Sequence, residues 1–230
     1  MGNFLTDTFN YKHRTDFDED ENFISQLKQL AQFSYLDTSS LLDREIKHCK
    51  HIFYFENEDK ELICFAMYNF EKLEESETVY YGLTVCADNY KSFGLAKKLW
   101  QKIAAETIKR QNETGTTFLC WLTTPTPIVF HWFNKFLQNA EPFLDGSYSG
   151  NGRKLAEKFQ RIKYSQTLQQ DTNPFVLRNV AANTLYSTGE RQRVTEASKK
   201  LSVTAFENYN IDETNGDRFL IVGLTPLHSD

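Results

Sequence analysis

Residues 83–100 read LTVCADNYKSFGLAKKLW, and this stretch indicates how a strand is joined to a helix. Its first letters complete the segment Glu77–Cys86, which is rich in Val, Tyr and Thr, as is typical of a β-strand. From Ala96 to Ile108 the apolar residues recur every three or four positions, which predicts an amphipathic helix. The stretch therefore predicts a strand, a short polar turn and a helix that opens at Gly94.

A glycine at the first turn of a helix is unusual because glycine is a poor helix former. The first N–H groups of a helix lack partners inside the helix and carry partial positive charge. Because Gly94 has no Cβ and Ala96 is small, a phosphate could approach these groups, with Lys97 and Lys98 adding positive charge. The alternative is that Gly94 is a structural cap. The stretch matches neither the Walker A loop nor the dinucleotide fingerprint.

The rest of the chain predicts further helices and strands, in the order ααβββαβα up to about residue 140. Residues 1–20 are interpreted as a polar arm that leads into the first helix. The other predicted helices cover about 38–49, Ile128–Leu137, Lys154–Tyr164 and Glu190–Asn208. The other predicted strands are His51–Glu56, Glu61–Glu71, Thr116–Thr123, Phe175–Val180 and Arg218–Leu224.

Composition narrows the class of protein. The chain has 230 residues, which suits one large domain, and a net charge of −5 with a pI near 5.6, which argues against a nucleic-acid partner. No apolar run reaches the length of a membrane span and the N-terminus shows no signal peptide, so a cytoplasmic location is expected. The four cysteines show no CxxC spacing, so no metal site is expected, and Cys64 and Cys120 are interpreted as buried thiols.

The junction that opens this section also resembles a known motif. Leu83–Val85 followed by Tyr90–Ala96 is similar to the core of the GCN5-related N-acetyltransferase (GNAT) superfamily, which carries [Q/R]-x-x-G-x-[G/A] between its fourth strand and third helix. Lys91, Gly94 and Ala96 fall on the three signature positions, with Lys91 where Gln or Arg is usual. The element order is similar as well over about residues 20–140.

The resemblance implies an α+β fold, with a mixed, mostly antiparallel sheet flanked by helices. The core would comprise about residues 20–140 plus a final strand at about 217–225, in a single acyltransferase-like domain. Residues 141–216 would then be a C-terminal elaboration, serving as a lid, a substrate wall or a dimer contact. A homodimer is therefore a further expectation.

The resemblance also implies acetyl-CoA, or another short acyl-CoA, as co-substrate, and transfer of the acyl group to an amine on a small molecule or peptide. The fourth strand would pair with the pantetheine arm, and the N–H of Val85 would stabilise the thioester oxygen. The expected cofactor-binding residues are Leu83, Thr84, Val85, Lys91, Ser92, Phe93, Gly94, Leu95, Ala96 and Lys97.

The catalytic candidates come from positions where the chain departs from the family pattern. Phe133 stands where many members have a tyrosine that protonates the leaving thiolate, so His131 is the nearest titratable candidate. Tyr80 and Tyr81 lie near the place of a strand glutamate that serves as base in some members. Each of the three has a competing interpretation as a packed core residue.

These departures leave two other readings of the chain open. The first is a non-catalytic domain of the same fold that binds CoA or a protein. The second is an unrelated α+β interaction protein in which Gly94 is structural.

Overall fold

The computed structural model describes residues 9–164, 171–182 and 184–226, and a mixed sheet of eight strands runs through these ranges. The strands are β1 (Asn10–Thr15), β2 (His51–Glu56), β3 (Leu62–Leu73), β4 (Ser76–Cys86), β5 (Leu119–Thr124), β6 (Gln138–Glu141), β7 (Val176–Leu177) and β8 (Arg218–Leu224). The helices are α1 (Glu21–Ala31), α2 (Thr38–His48), α3 (Leu95–Thr114), α4 (Pro127–Phe136), α5 (Gly150–Tyr164), α6 (Thr188–Ser198) and α7 (Ala205–Asn208). A 3-10 segment, Asp88–Phe93, joins β4 to α3.

The strand order is β1-β2-β3-β4-β5-β8-β6, and β7 pairs with β8 as well. Neighbouring strands are antiparallel except for β4 and β5, which are parallel. The mixed, mostly antiparallel sheet that the sequence predicts is therefore confirmed.

Side-chain alternation along the strands divides the core into two layers. Ile52 and Tyr54 of β2 pack with the buried faces of α1 and α2, whereas Phe53 and Phe55 pack with α3 and α4 on the opposite side. Aspartate side chains begin both helices of the first layer: Asp20 accepts the N–H of Phe23 for α1, and Asp37 caps α2 in the same way. The sheet thus separates an α1/α2 layer from an α3/α4 layer.

The parallel pair β4–β5 is short, and a gap opens in the sheet beyond it. The two strands pair only from Thr78 to Tyr80, opposite Leu119–Trp121, although β4 continues to Cys86. At the same point β4 has an extra residue relative to β3. Between the pairs Tyr68–Tyr81 and Ala66–Thr84, β3 has one residue whereas β4 has two, Gly82 and Leu83. A bulge of this kind bends its strand and increases the local twist, which accounts for the divergence of β4 from β5.

The predicted elaboration packs into the same core as the strands. Phe206 of α7 contacts both Phe130 of α4 and Phe219 of β8, with ring centroids 5.4 and 5.1 Å apart. On α5, Phe159 is buried against Trp121 of β5. The division into a core and an elaboration in one domain remains a prediction from the sequence.

Three predicted boundaries were wrong. The polar arm contains β1, an edge strand whose side chains are mostly exposed, so no apolar alternation marks it in the sequence. The predicted helix 190–208 is two helices, because α6 ends at Ser198; of its residues only Glu190 is buried, so it has no apolar stripe to extend. The predicted strand 175–180 shortens to β7.

The interpretation of Cys64 as a free thiol was also wrong. Cys64 on β3 and Cys86 at the end of β4 are directly paired across the two strands and form a disulfide. Cys49 and Cys120 are free and buried. Within the described part of the chain, no helix combines the length and the apolar character needed to cross a membrane.

Candidate active site

A cavity of about 130 Å³ lies where β4 and β5 diverge, and it reaches through the sheet. Its lining includes side chains of both helical layers: Leu41, Arg44 and Glu45 from α2, and Trp100, Val129 and Phe133 from α3 and α4. A through-sheet cavity allows two reactants to approach from opposite faces and to meet between the strands. Its volume is below the range of about 300–1,000 Å³ that encloses a whole drug-sized ligand. It can therefore hold the reacting ends of two molecules, with their bodies outside.

Residues of the predicted elaboration form one wall of this cavity. Ala181, Thr184 and Tyr186 line it beside Arg218, the first residue of β8. Tyr186 forms an isolated β-bridge with Tyr35, and their rings lie 5.0 Å apart. Residues of the elaboration therefore line the cavity, and the three roles expected for the elaboration stay predictions.

Glu45 is the acidic residue of the cavity lining, and the sequence analysis did not single it out. The residue is only 6% exposed. The hydroxyl of Tyr80 donates to Oε2 at 3.3 Å, and the guanidinium of Arg44 donates to Oε1 at 3.3 Å. A Cβ on Gly82 would lie 3.1 Å from Oε2, so the carboxylate sits directly against the bulge of β4. The carboxylate thus faces the point where the sheet opens, which is where a proton acceptor would have to lie.

The two candidate tyrosines point to opposite faces of the sheet. Tyr80 lies on the α2 side, where it hydrogen bonds to Glu45 and packs on Trp121, while the ring of Tyr81 meets Phe133 of α4. Burial is the main cause that raises the pKa of Tyr80, and the nearby charge of Glu45 is the second. Burial is also the main cause that raises the pKa of Tyr81, followed by Cys120. Both hydroxyls therefore stay protonated near neutral pH, so they can donate hydrogen bonds but cannot serve as resting bases.

The register of β4 corrects the expected role of Val85. Cys64 and Cys86 face each other, and the N–H of Ala87 donates to the carbonyl of Ile63 at 2.8 Å. Along an antiparallel pair, residues two apart direct their N–H groups to the same side. The N–H of Val85 therefore points to β3, and that of Thr84 points to the gap. Thr84, not Val85, is in position to donate to a bound carbonyl.

The glycine of the loop precedes the helix instead of opening it. Gly94 has a φ of +70°, a left-handed conformation that side chains disfavour, and α3 begins at Leu95. The structural reading of Gly94 as a cap is thus supported. A Cβ there would meet nothing within 4 Å, and no side chain caps the helix, so the space above its first N–H groups is open. Both uses of the glycine are compatible in this geometry.

The loop and the gap together fit an acyl-CoA. Ser92, Phe93 and Gly94 are exposed, and Lys97 is exposed on the first turn of α3, which suits a diphosphate. The strand edge from Tyr81 onward lacks a β5 partner, which suits the amides of a pantetheine arm.

Lys91, the remaining signature residue, does not present its charge to the open face of the loop. Its Nζ lies 2.6 Å from both Asp88 and Glu190, and 3.3 Å from the hydroxyl of Ser34. Glu190 also pairs with Arg193, and this cluster joins the start of α6 to the 3-10 segment. Lys91 therefore acts mainly as a structural contact between the loop and the elaboration.

The cluster predicts a pH-dependent contribution to stability. Burial alone would raise the pKa of Glu190, but hydrogen bonds from Arg193 and Lys91 outweigh it and lower the pKa from the ordinary 4.5. The contribution is therefore complete above about pH 4.5 and is lost as the pH falls through the lowered pKa. Glu190→Gln should lower the free energy of unfolding by about 2 kcal/mol at pH 7. Urea titrations of both proteins from pH 7 to pH 3 should show the difference shrinking; a constant difference would contradict this assignment.

His131 does not belong to the cavity lining. It lies on α4 between Phe130, which is buried, and Trp132, whose ring is tilted against that of Trp100 with centroids 4.7 Å apart. Partial burial is the main cause that lowers the pKa of His131, and the charge of Lys135 is the second. The structure brings Tyr80 and Tyr81 together with the strand residues Leu83 and Thr84 at the cavity, and leaves His131 outside.

Glu45 had a detectable signal in the sequence. It shares the buried stripe of α2 with Leu41, Leu42, Ile46 and Cys49, at helical spacing. An acidic residue on an apolar stripe is rarely buried without a partner or a function. Arg218 gave a similar signal, as the charged first residue of an otherwise apolar strand.

Comparison with known proteins gave structural neighbours only. No family model matches the chain, and no curated protein matches it. Among solved structures it is similar to the ribosomal-protein-S18-alanine N-acetyltransferase from Escherichia coli, with 10% identity, coverage of 95% of this chain and 96% of that one, and a TM-score of 0.43. The GNAT family N-acetyltransferase YhbS from Escherichia coli, in complex with CoA, has 14% identity, coverage of 55% and 67%, and a TM-score of 0.41.

A third similar structure is the aminoglycoside acetyltransferase meta-AAC0020 from an uncultured soil metagenomic sample, in complex with trehalose. It has 15% identity, covers 64% of this chain and 98% of its own, and has a TM-score of 0.42. At these values the similarity transfers no residue role or substrate. The strand order, the gap between β4 and β5, and the loop–helix junction at Gly94 give the chain the fold of the GCN5-related N-acetyltransferases.

Proposed function

We propose that the protein transfers an acetyl group from acetyl-CoA to an amine. The observation that carries this proposal is the cavity that passes through the sheet at the β4–β5 gap and contains one buried carboxylate, Glu45. The exposed loop at Ser92–Gly94 lies at the end of the strand that borders the gap. A donor would then lie on the α3/α4 side and an acceptor on the α2 side.

In the proposed reaction, different residues of the cavity would bind the thioester and accept the proton of the amine. Acetyl-CoA supplies an activated acyl carbon with a thiolate as leaving group. The N–H of Thr84 donates to the carbonyl oxygen, which gains negative charge during the reaction. The amine nitrogen bonds to the acyl carbon as the carbon–sulfur bond breaks. The proton lost by the nitrogen passes to Glu45, the thiolate takes up one proton from solvent, and Glu45 then releases its proton to solvent, so no net proton is gained or lost.

Tyr80 and Arg44 hold the carboxylate of Glu45 in this mechanism. Tyr80 donates a hydrogen bond to one carboxylate oxygen and Arg44 donates to the other, so the orientation of the carboxylate is fixed. Phe133 and Trp100 line the other side of the cavity and exclude water from it. The carboxylate takes the role of the strand glutamate that the sequence lacks, but from a helix.

Acetyl-CoA binding by Gly94→Trp and Gly115→Trp is the test of this proposal. Both glycines flank α3 with nearly equal φ values, +70° and +67°, and a Cβ meets nothing within 4 Å at either. Both variants therefore bear the same left-handed strain, about 1–2 kcal/mol. Only the indole at position 94 would cover the N–H groups that face the diphosphate. Calorimetric titration should show affinity reduced on the order of 100-fold or more for Gly94→Trp, and near wild type for Gly115→Trp.

Three results would count against parts of the proposal. No binding of acetyl-CoA by the folded wild-type protein would overturn it and leave an α+β protein with a structural Gly94. Equal losses in the two variants would overturn the diphosphate site. Tight binding without turnover of any amine would favour the non-catalytic CoA-binding alternative.

A further inference from the structure

Arg218 is a buried cation that no described carboxylate contacts directly. It is 4% exposed, it lines the cavity, and among residues 9–164, 171–182 and 184–226 it forms no ion pair. Within the described residues, its hydrogen bonds run to two backbone carbonyls, those of Asp217 at 2.7 Å and Thr184 at 2.6 Å. A guanidinium has five donors, so this leaves donors available. Burying such a charge without a counter-ion is costly.

Two acidic side chains in the same region, those of Asp217 and Glu213, form ion pairs with other arginines. Asp217 directs its carboxylate to Arg178 at 2.6 Å, away from its neighbour in the chain. Glu213 accepts from Arg191 at 2.9 Å and from the N–H of Tyr186 at 2.6 Å. Burial lowers the pKa of Arg218, and Tyr186 and the charge of Glu213 oppose this only in part, since neither carboxylate contacts the guanidinium.

Thr184 connects Arg218 to the proposed base. Its carbonyl accepts from Arg218, and its hydroxyl accepts from Arg44 at 3.1 Å. Arg44 in turn pairs with Glu45 at 3.3 Å. The charges of Arg44 and Glu45 offset each other, which leaves one net positive charge, that of Arg218, in the same small cavity.

We infer that the acceptor is a small aminocarboxylate, whose carboxylate binds Arg218 while its amine faces Glu45. The inference rests on the proposed acetyl transfer and narrows its acceptor. An amino acid with a neutral, nucleophilic amine carries one negative charge, which matches the charge of the cavity. A guanidinium binds a carboxylate with two parallel hydrogen bonds, and a cavity of about 130 Å³ suits a small molecule better than a folded partner.

The acceptor class is tested with matched trios that share one carbon skeleton, such as alanine, alaninamide and propan-2-amine. The rate of thiol release from acetyl-CoA gives kcat/KM for each acceptor. Each value is calculated from the concentration of the deprotonated amine, so that differences in amine pKa do not affect the comparison. We expect the aminocarboxylate to exceed its amide and its plain amine by on the order of 10²-fold or more. Arg218→Gln should lower kcat/KM for the aminocarboxylate on the order of 10²- to 10³-fold and change the amide by less than about threefold.

Two further variants separate recognition from a structural role. Arg218→Lys keeps the charge without the planar fork and should retain part of the preference for the acid. Arg161→Gln is the control, since Arg161 lies on α5, is exposed and contacts Glu74. A purely structural Arg218 would instead lower turnover of acid and amide by the same factor in every Arg218 variant, which would overturn the inference.

A binding experiment keeps this inference separate from the proposed function. Free amino acids at millimolar concentration should raise the melting temperature of wild type and of Arg161→Gln, but not of Arg218→Gln. If acetyl-CoA binds and amides or plain amines react as well as acids, the acceptor class is wrong and acetyl transfer stands. If acetyl-CoA does not bind, acetyl transfer fails. In that case the rise in melting temperature with free amino acids alone decides whether the cavity binds a carboxylate. If the melting temperature does not rise, the carboxylate site at Arg218 is overturned as well.

Discussion

Glu45→Gln is expected to lower kcat for acetyl transfer by on the order of 10³-fold, with the affinity for acetyl-CoA changed by less than about threefold. Glutamine has the shape of glutamate and keeps an oxygen for Tyr80 or Arg44, but its amide cannot accept the proton of an amine. The loss should therefore appear in kcat, since the loop at Gly94 that is proposed to hold acetyl-CoA is untouched.

Asp43→Asn is the matched control for this experiment. Asp43 lies on the same helix, but it is exposed and pairs with Lys28 at 2.8 Å on the surface. Steady-state turnover with saturating acetyl-CoA, together with calorimetry, separates the two effects. Full activity of Glu45→Gln would show that the proton leaves through solvent, whereas weaker acetyl-CoA binding in that variant would show that Glu45 belongs to the donor side.

Phe130→Ala is expected to lower the free energy of unfolding by about 3–5 kcal/mol. Phe130 is fully buried and joins α4 to α7 and β8 through Phe206 and Phe219, so its removal leaves a cavity between the predicted core and the elaboration. If these parts form one cooperative domain, denaturant unfolding should remain a single transition at a lower midpoint.

Phe33→Ala serves as the control, because Phe33 is 62% exposed and should change stability by less than about 1 kcal/mol. Tryptophan fluorescence and far-UV circular dichroism would follow the transition by two probes. Two separate transitions would show that the elaboration unfolds independently, which would contradict the single-domain prediction. A loss below about 1 kcal/mol would contradict the packing of Phe130 described above.

Local patterns in the sequence predicted the parts of the fold that depend on neighbouring residues. The strand Glu77–Cys86, the polar turn and the helix after Gly94 each carry their own periodicity or turn chemistry. β1 was missed because an exposed edge strand needs no apolar alternation. The break after Ser198 was missed because helix-forming residues continue beyond it, while the burial that decides the end comes from tertiary contacts.

The site was only partly predictable, for a different physical reason. Lys91 matches a loop signature, yet its charge is engaged by Glu190, 99 residues away in the chain. The choice between Val85 and Thr84 depends on the pairing between β4 and β3, which no local pattern contains. Glu45 was visible as an acid on an apolar stripe, but only the fold shows that it faces the bulge of β4.

The gap between β4 and β5 also gives the sheet two edges in its interior, where most sheets have edges only at the outside. Unpaired backbone groups on such edges can recruit any extended chain, including another copy of the protein. Here α4 and the wall formed by Ala181, Thr184 and Tyr186 border the opening, which leads to a cavity of only about 130 Å³. In the proposed reaction, the amides of the pantetheine arm would pair with one of these inner edges. Bound acetyl-CoA, as proposed above, would therefore cover backbone groups that are otherwise open to another extended chain.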